Sequence, residues 1–169
     1  MWEPSPPAEA APPADVRIRR LRGDGDVRLI LAFLPDLYES NFPGFQADPQ
    51  FLAASRDRLR VAAADPRQAI LVAEDRAGLC GFIWVSAEVD YRGLMRGEVR
   101  AIYVHPRMRR RGVGRRLMAH GEAFLGVLGC HAVTLMVTAS NRAACGLYGA
   151  LGYQVTRHQM EKPLNVHPE

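Results

Sequence analysis

Residues 16–21 (VRIRRL) alternate apolar and polar positions, as a half-buried strand does. The next segment, GDGDVRLILAFLPDLYES, carries helical periodicity, and Asp24 or Asp26 is placed to cap it. Pro35 falls inside that pattern, where it is expected to kink or divide the helix. A second helix follows in DPQFLAASRDRLRVAAADPR, with Asp48 at the N-cap and Pro49 at the first helical position. AILVAEDRAGLCGFIWVSAEV reads as two strands around a turn at residues 75–78. EVRAIYVHP is another strand, stopped by Pro106. GVGRRLMAHGEAFLGVLG is a helix with Leu117, Phe124 and Leu128 on one stripe. AVTLMVTAS is a strand, NRAACGLYGALG a helix ended by Gly152, and YQVTRHQMEKPL a final strand region. The predicted order is β-α-α-β-β-β-α-β-α-β, an α/β arrangement with a mixed sheet covered by helices. Residues 98–138 form its β-α-β unit, with parallel strands and a right-handed crossover.

Composition narrows the class. The 169 residues suit one domain with its own core. The 48% hydrophobic and 24% charged residues are ordinary for a soluble globular protein. No apolar run approaches the roughly 18 residues of a membrane span, and the N-terminus has no apolar leader core. A cytoplasmic protein without membrane partners is therefore expected. Residues 1–15, rich in Pro and Ala, are expected to be a disordered tail. Residues 16–163 then form the domain, and residues 164–169 a short C-terminal tail. Cys80, Cys130 and Cys145 lack metal-ligand spacing, so they read as small buried hydrophobes and no metal is expected.

The net charge of +4 matters less than where it sits. Six of the ten residues from Arg107 to Arg116 are arginine, with Gly112 and Gly114 among them, between a strand and a helix. A helix N-terminus exposes unpaired N–H groups and partial positive charge, which suits an anion. Glycine lets a phosphate approach bare backbone, and arginine adds forked donors. The stretch is neither a Walker A loop nor the dinucleotide GxGxxG. A nucleic-acid grip and a merely solvated helix start are the other readings. Against the former, the run is short and has no aromatic stacking platform.

The spacing Arg109-x-x-Gly112-x-Gly114 resembles the acyl-CoA-binding motif, Gln/Arg-x-x-Gly-x-Gly/Ala, of the GNAT superfamily of N-acetyltransferases. Asn141, Tyr148, Gly152 and Tyr153 in TASNRAACGLYGALGYQV match a second pattern common in that family. The resemblance implies a sheet of six to seven strands flanked by about four helices. It implies acetyl-CoA as co-substrate, held by Arg109, Arg110, Arg111, Gly112, Val113, Gly114 and Arg115. It further implies backbone contacts from Ile102, Tyr103 and Val104 in a gap between two splayed strands, and a contact from Asn141 to the pantetheine arm. In the family a tyrosine at the place of Tyr148 often protonates the leaving sulfur. A phenol and a thiol, with ordinary pKa values of about 10 and 8.5, are matched for this.

Asn141 and Tyr148 lie seven residues apart and so share a helix face. Asn141 also reads as an ordinary N-cap. Glu98 is a candidate general base. Period-2 alternation sets it on one face with Arg100, Ile102 and Val104, where it also reads as a partner of Arg100 or Arg96. His105 and water are its rivals. Tyr38, Phe42, Phe45 and Trp84 could wall an acceptor pocket, with core packing as the alternative for the first three. The expected function is acetyl transfer from acetyl-CoA to a small-molecule or peptide amine. A non-catalytic acyl-CoA sensor is the alternative, and a basic nucleic-acid module is the third reading. A homodimer is left open, since RHQMEKPL could pair as an edge strand within or between chains.

Overall fold

The computed structural model describes residues 15–162. The terminal tails assigned above therefore lie almost wholly outside the described residues. Five strands form one sheet in the order β1-β2-β3-β4-β5: β1 (Arg17–Arg20), β2 (Gln68–Asp75), β3 (Gly78–Val89), β4 (Met95–Val104) and β5 (Val133–Leu135). The first four are antiparallel neighbours, and β5 lies parallel to β4. The four helices are α1 (Gly23–Asn41), α2 (Pro49–Ala64), α3 (Val113–Val127) and α4 (Arg142–Ala150). The mixed α/β architecture is the expected one. The sheet, however, has five strands among the described residues rather than six or seven.

β2 is buried along most of its length because helices cover both sheet faces. Its residues alternate between two cores. Ala69, Leu71 and Ala73 join Ile83, Val85, Leu117 and Leu125 under α3 and α4. Ile70 and Val72 join Ile30, Leu34, Leu59 and Phe82 under α1 and α2. Burial of this kind contributes about 25 cal/mol per Å2 and drives the layering.

Three elements depart from the sequence pattern. Pro35 lies inside α1, which runs on through it. The ring faces solvent, so the carbonyl it leaves unbonded can be met by water. The expected final strand does not form among the described residues: residues 153–162 join no strand of the sheet, and Val155 and Met160 are 81% and 93% exposed. The edge available to them is β5, which is only three residues long. That edge is short because β5 leaves β4 after the pair Val99–Leu135.

β1 and α1 are fastened by a charge network. Arg19 donates to Asp26 at 2.6 and 3.2 Å and to Glu74 at 2.7 Å. Asp26 also accepts the backbone N–H of Arg22 at 2.6 Å, which satisfies a free amide at the start of α1. Asp24 instead receives Arg60 of α2, at 3.0 and 2.9 Å. Asp26 and Arg19 are largely buried, so removing one partner strands the other's charge. Asp26→Asn is expected to lower the unfolding free energy at pH 7 by about 3 kcal/mol, read by urea denaturation. Hydrogen bonding from Arg19 holds the Asp26 carboxyl below the usual carboxylate range. Its contribution is thus present above about pH 4 and lost as pH falls further, so the two proteins should converge in acid.

Candidate active site

The parting of β4 and β5 organises the site. The two strands pair only over Gly97–Val133, Glu98–Thr134 and Val99–Leu135, while β4 continues to Val104. Its far half therefore presents an edge without a β5 partner. On its other side β4 stays paired to β3 as far as Gly81–Val104, and the N–H of His105 reaches the Cys80 carbonyl at 2.9 Å. Backbone groups alternate along a strand. Ile102 and Val104 consequently turn their N–H and C=O groups to the open edge, whereas Tyr103 turns its own to β3. Of the three backbone contacts expected here, only those of Ile102 and Val104 face the gap.

The register slips by one residue at Arg100: Trp84 pairs with Ala101 and Val85 with Val99. Such a bulge breaks the alternation of side chains. Val99 and Ile102 both face the α3 core, while Glu98 shares the other face with Ser86 and Trp84. The expectation that Glu98, Arg100, Ile102 and Val104 share one face is overturned by this inserted residue. Arg100 lies over the Trp84 ring at 5.8 Å and donates to Glu98 at 3.1 Å. Beside Glu98, the Ser86 hydroxyl is buried and has no hydrogen-bond partner among the described residues. A buried orphan hydroxyl is where a bound water or ligand group is expected.

The loop from Pro106 to Gly112 closes one end of the gap. A 3-10 turn over Pro106–Met108 is capped by His105, whose Nδ1 accepts the Arg107 N–H. That hydrogen bond gives His105 a structural task at the strand end. Arg107 pairs with Asp75 across the turn between β2 and β3. Arg110 takes a left-handed conformation (φ 59°), and so does Gly112 (φ 72°) at the N-cap of α3. The N-cap residue Gly112 carries no side chain that could cap α3, so bare backbone opens the helix. Val113 buries its side chain and can offer only its amide. A Cβ on Gly114 would stand 3.3 Å from Leu147 and 3.7 Å from Val104, so the glycine allows α3, α4 and β4 to meet closely. Arg110 and Arg111 are exposed, and Arg115 is half-buried on the first helical turn.

Arg109 is differently employed. Its Nε donates to the Val104 carbonyl at 2.9 Å, and its Nη2 to Asp36 of α1 at 2.9 Å. The same carboxylate oxygen of Asp36 accepts the Tyr103 hydroxyl at 2.7 Å. The Tyr103 ring stacks on Phe33, and burial with the Asp36 contact pushes its hydroxyl up to about 12. Asp36 thus joins α1 to the strand end and to the loop. Nothing in the local sequence marks it.

α4 closes the other face. Asn141 caps it by accepting the Ala144 N–H at 3.2 Å, and its Nδ2 donates to Asn41 at the end of α1 at 3.3 Å. Thr138 donates to the Asn41 carbonyl at 3.1 Å. The cap reading of Asn141 is the one its hydrogen bonds express. Tyr148 is buried against the α3 core, 5.9 Å from the Tyr153 ring, and desolvation pushes its hydroxyl up to about 12. It stays protonated at neutral pH. Full proton transfer to a thiolate, whose acid has a pKa of about 8.5, would run uphill. The hydroxyl is better suited to donating a hydrogen bond to a developing thiolate.

On the α1–α2 face lies a cleft of about 570 Å3, counting the open space at its mouth. Tyr38, Trp84, Phe82 and Leu37 line it, with Arg58 and Arg100 among its polar groups. Trp84 is held by a hydrogen bond from its Nε1 to Gln68 at 2.8 Å. Phe45 packs on Tyr38 and Phe51, with ring centroids 4.9 and 5.0 Å away, and Phe42 leans on Tyr38 while 57% exposed. Of the four aromatics expected to wall an acceptor pocket, Tyr38 and Trp84 line this cleft; Phe42 and Phe45 build the corner behind it. Arg58 was not singled out from sequence, although it flanks the inward stripe of Ser55, Leu59 and Ala62 on α2. Arg100 enters the cleft only because of the bulge. Among the described residues no helix is long and apolar enough to cross a membrane.

The comparisons agree with this geometry. The profile of the Acetyltransferase (GNAT) family matches residues 31–153. A mycothiol acetyltransferase of Propionibacterium freudenreichii subsp. shermanii is 32% identical over 154 residues, which is 88% of this chain and 46% of the relative. The chain thus spans about half the length of the curated relatives it matches over most of its own length. Two solved structures share the fold. One is a transcriptional regulator from Bacillus halodurans C-125 (TM-score 0.71, 18% identity, 88% of this chain and 99% of that one). The other is AAC(6')-Iy in complex with a CoA-based bisubstrate analogue (TM-score 0.65, 21% identity, 89% and 99%). With a family profile matched across β2 to α4 and strands that part beside an uncapped, glycine-led helix, the chain belongs to the GNAT family of acetyltransferases.

Proposed function

We propose that this chain transfers the acetyl group of acetyl-CoA to the amine of an acceptor by direct attack within a ternary complex. The observation that carries the reading is the half of β4 from Arg100 to Val104, which has no β5 partner on its outer edge and ends beside the glycine-led start of α3. Acetyl-CoA supplies an activated acyl group and a pyrophosphate. The amides of Val113 and Gly114, with Arg110, Arg111 and Arg115 around them, suit the pyrophosphate. Arg109 holds the loop against Asp36 and Val104. The open-edge N–H groups of Ile102 and Val104 suit the pantetheine arm and the thioester carbonyl, an oxyanion-type role.

Tyr148 stands on the α3 side, where its O–H would donate to the departing sulfur. The acceptor would enter from the α1–α2 cleft, where Glu98 would take the amine's proton, directly or through a water at Ser86. The new C–N bond forms as the C–S bond breaks; coenzyme A leaves as a thiolate hydrogen-bonded by Tyr148, and the proton that Glu98 takes passes to water, from which the thiolate is protonated.

The first test is the melting temperature with acetyl-CoA, with coenzyme A and with short duplex DNA at two salt concentrations. At a hundred times its Kd a ligand of the folded state adds about 2.7 kcal/mol. For a chain of this length that is roughly 5–10 °C. A shift with acetyl-CoA that persists in salt is expected. A shift with DNA alone that collapses in salt would replace the transferase with a polyanion binder.

A further inference from the structure

The acceptor cleft carries two cations on its wall, Arg58 and Arg100, and no aspartate or glutamate among its lining residues. They are not equally compensated. Arg100 uses Nη1 on Glu98 at 3.1 Å, with Glu88 at 3.9 Å. Arg58 donates from Nη2 to the Ser55 hydroxyl at 3.0 Å, and among the described residues no carboxylate lies within ion-pair distance of it. The other acids of the neighbouring elements are engaged elsewhere. Asp36 holds Tyr103 and Arg109, Glu39 accepts the Gly44 N–H, and Asp57 pairs with Arg56. The remaining wall is apolar: Leu34, Leu59 and Phe82 are buried beneath it and Trp84 floors one end.

Resting on the transferase reading, we propose that the cleft selects an acceptor that joins its amine to an anionic group on an apolar body, and that Arg58 is the residue that reads the anion. Guanidinium forks bind carboxylate and phosphate with paired hydrogen bonds. The apolar wall holds the body of such an acceptor and sets its anion against the exposed fork. A polycationic amine meets the opposite condition, two like charges with one of them uncompensated, so the same residues reject it. The amine itself is drawn to Glu98, on the face from which Arg100 projects.

The test uses the whole chain with coenzyme A present. Isothermal calorimetry compares N-acetylphenylalanine, phenyl phosphate and N-acetylphenethylamine, which share an apolar body and differ in the anion. At least one of the two anions should bind about tenfold tighter than the neutral amide, and the tighter one names carboxylate or phosphate. Arg58→Ala should bring the affinities to within about threefold of one another, and Arg58→Lys should restore part of the difference. Arg58 is exposed on α2, so neither change threatens the core. Neutral and anionic compounds binding alike, none binding, or Arg58→Ala weakening all three equally would overturn the inference. Absence of the acetyl-CoA melting shift would instead remove the transferase reading on which it stands.

Discussion

Tyr148→Phe is expected to lower kcat by about a hundredfold or more, the usual scale for one hydrogen-bond donor to charge developing in the transition state, while the Kd for acetyl-CoA changes by less than about threefold. The reason is local. The ring is buried and would remain so, and among the described residues the hydroxyl has no hydrogen-bond partner to orphan, so packing and melting temperature should hold. On the proposed reading, what disappears is the hydrogen bond from Tyr148 to the leaving sulfur. A thiolate expelled into an apolar pocket without a hydrogen bond is costly. Because burial sets the hydroxyl up at about 12, it stays protonated through pH 10, and any alkaline fall in rate below that belongs to another group. Stopped-flow or steady-state turnover beside a direct acetyl-CoA titration separates the two quantities. An unchanged kcat would take Tyr148 out of the reaction.

Gly112→Val is the second large effect. The residue sits at φ 72° and ψ 1°, a conformation that β-branched side chains scarcely enter. Strain of about 1–3 kcal/mol then falls on the loop proposed above to receive the pyrophosphate. If the first turn of α3 rearranges to relieve it, acetyl-CoA affinity should drop roughly thirtyfold to a hundredfold, on the same energy scale. Gly112→Asn is the control, since asparagine tolerates left-handed backbone, and it should keep affinity within about tenfold of the original. A valine variant that binds acetyl-CoA as well as the parent would show that the amides do not serve the phosphates.

The run of elements from β1 to α4 could be read from the chain because periodicity and punctuation act locally: alternating strands, Asp48 with Pro49 at a helix start, Gly112 at a helix N-cap. What could not be read depends on partners distant in sequence. Arg109 meets Asp36 across 73 positions and Asn141 meets Asn41 across 100, and neither pairing leaves a trace in spacing. The bulge at Arg100 is subtler. One extra residue in β4 inverts the faces of everything before it, so counting by twos from Val104 assigns Glu98 to the wrong side. The final segment failed as a strand for a related reason. Its composition permits pairing, but pairing needs a template, and β5 offers three residues. Pro35 was tolerated because it faces solvent rather than the core.

The shared carboxylate of Asp36 has a consequence for the order of events. It holds Arg109 of the loop and Tyr103 of β4, and its helix supplies Leu34, Leu37 and Tyr38 to the acceptor cleft. On the proposed reading, the cradle for one substrate and the wall for the other would thus be parts of a single fastening. Whatever tightens the loop also steadies the wall, and linkage makes the effect mutual. On the same reading, a donor that arrives first would set part of its partner's seat, so the two affinities would be coupled rather than separate.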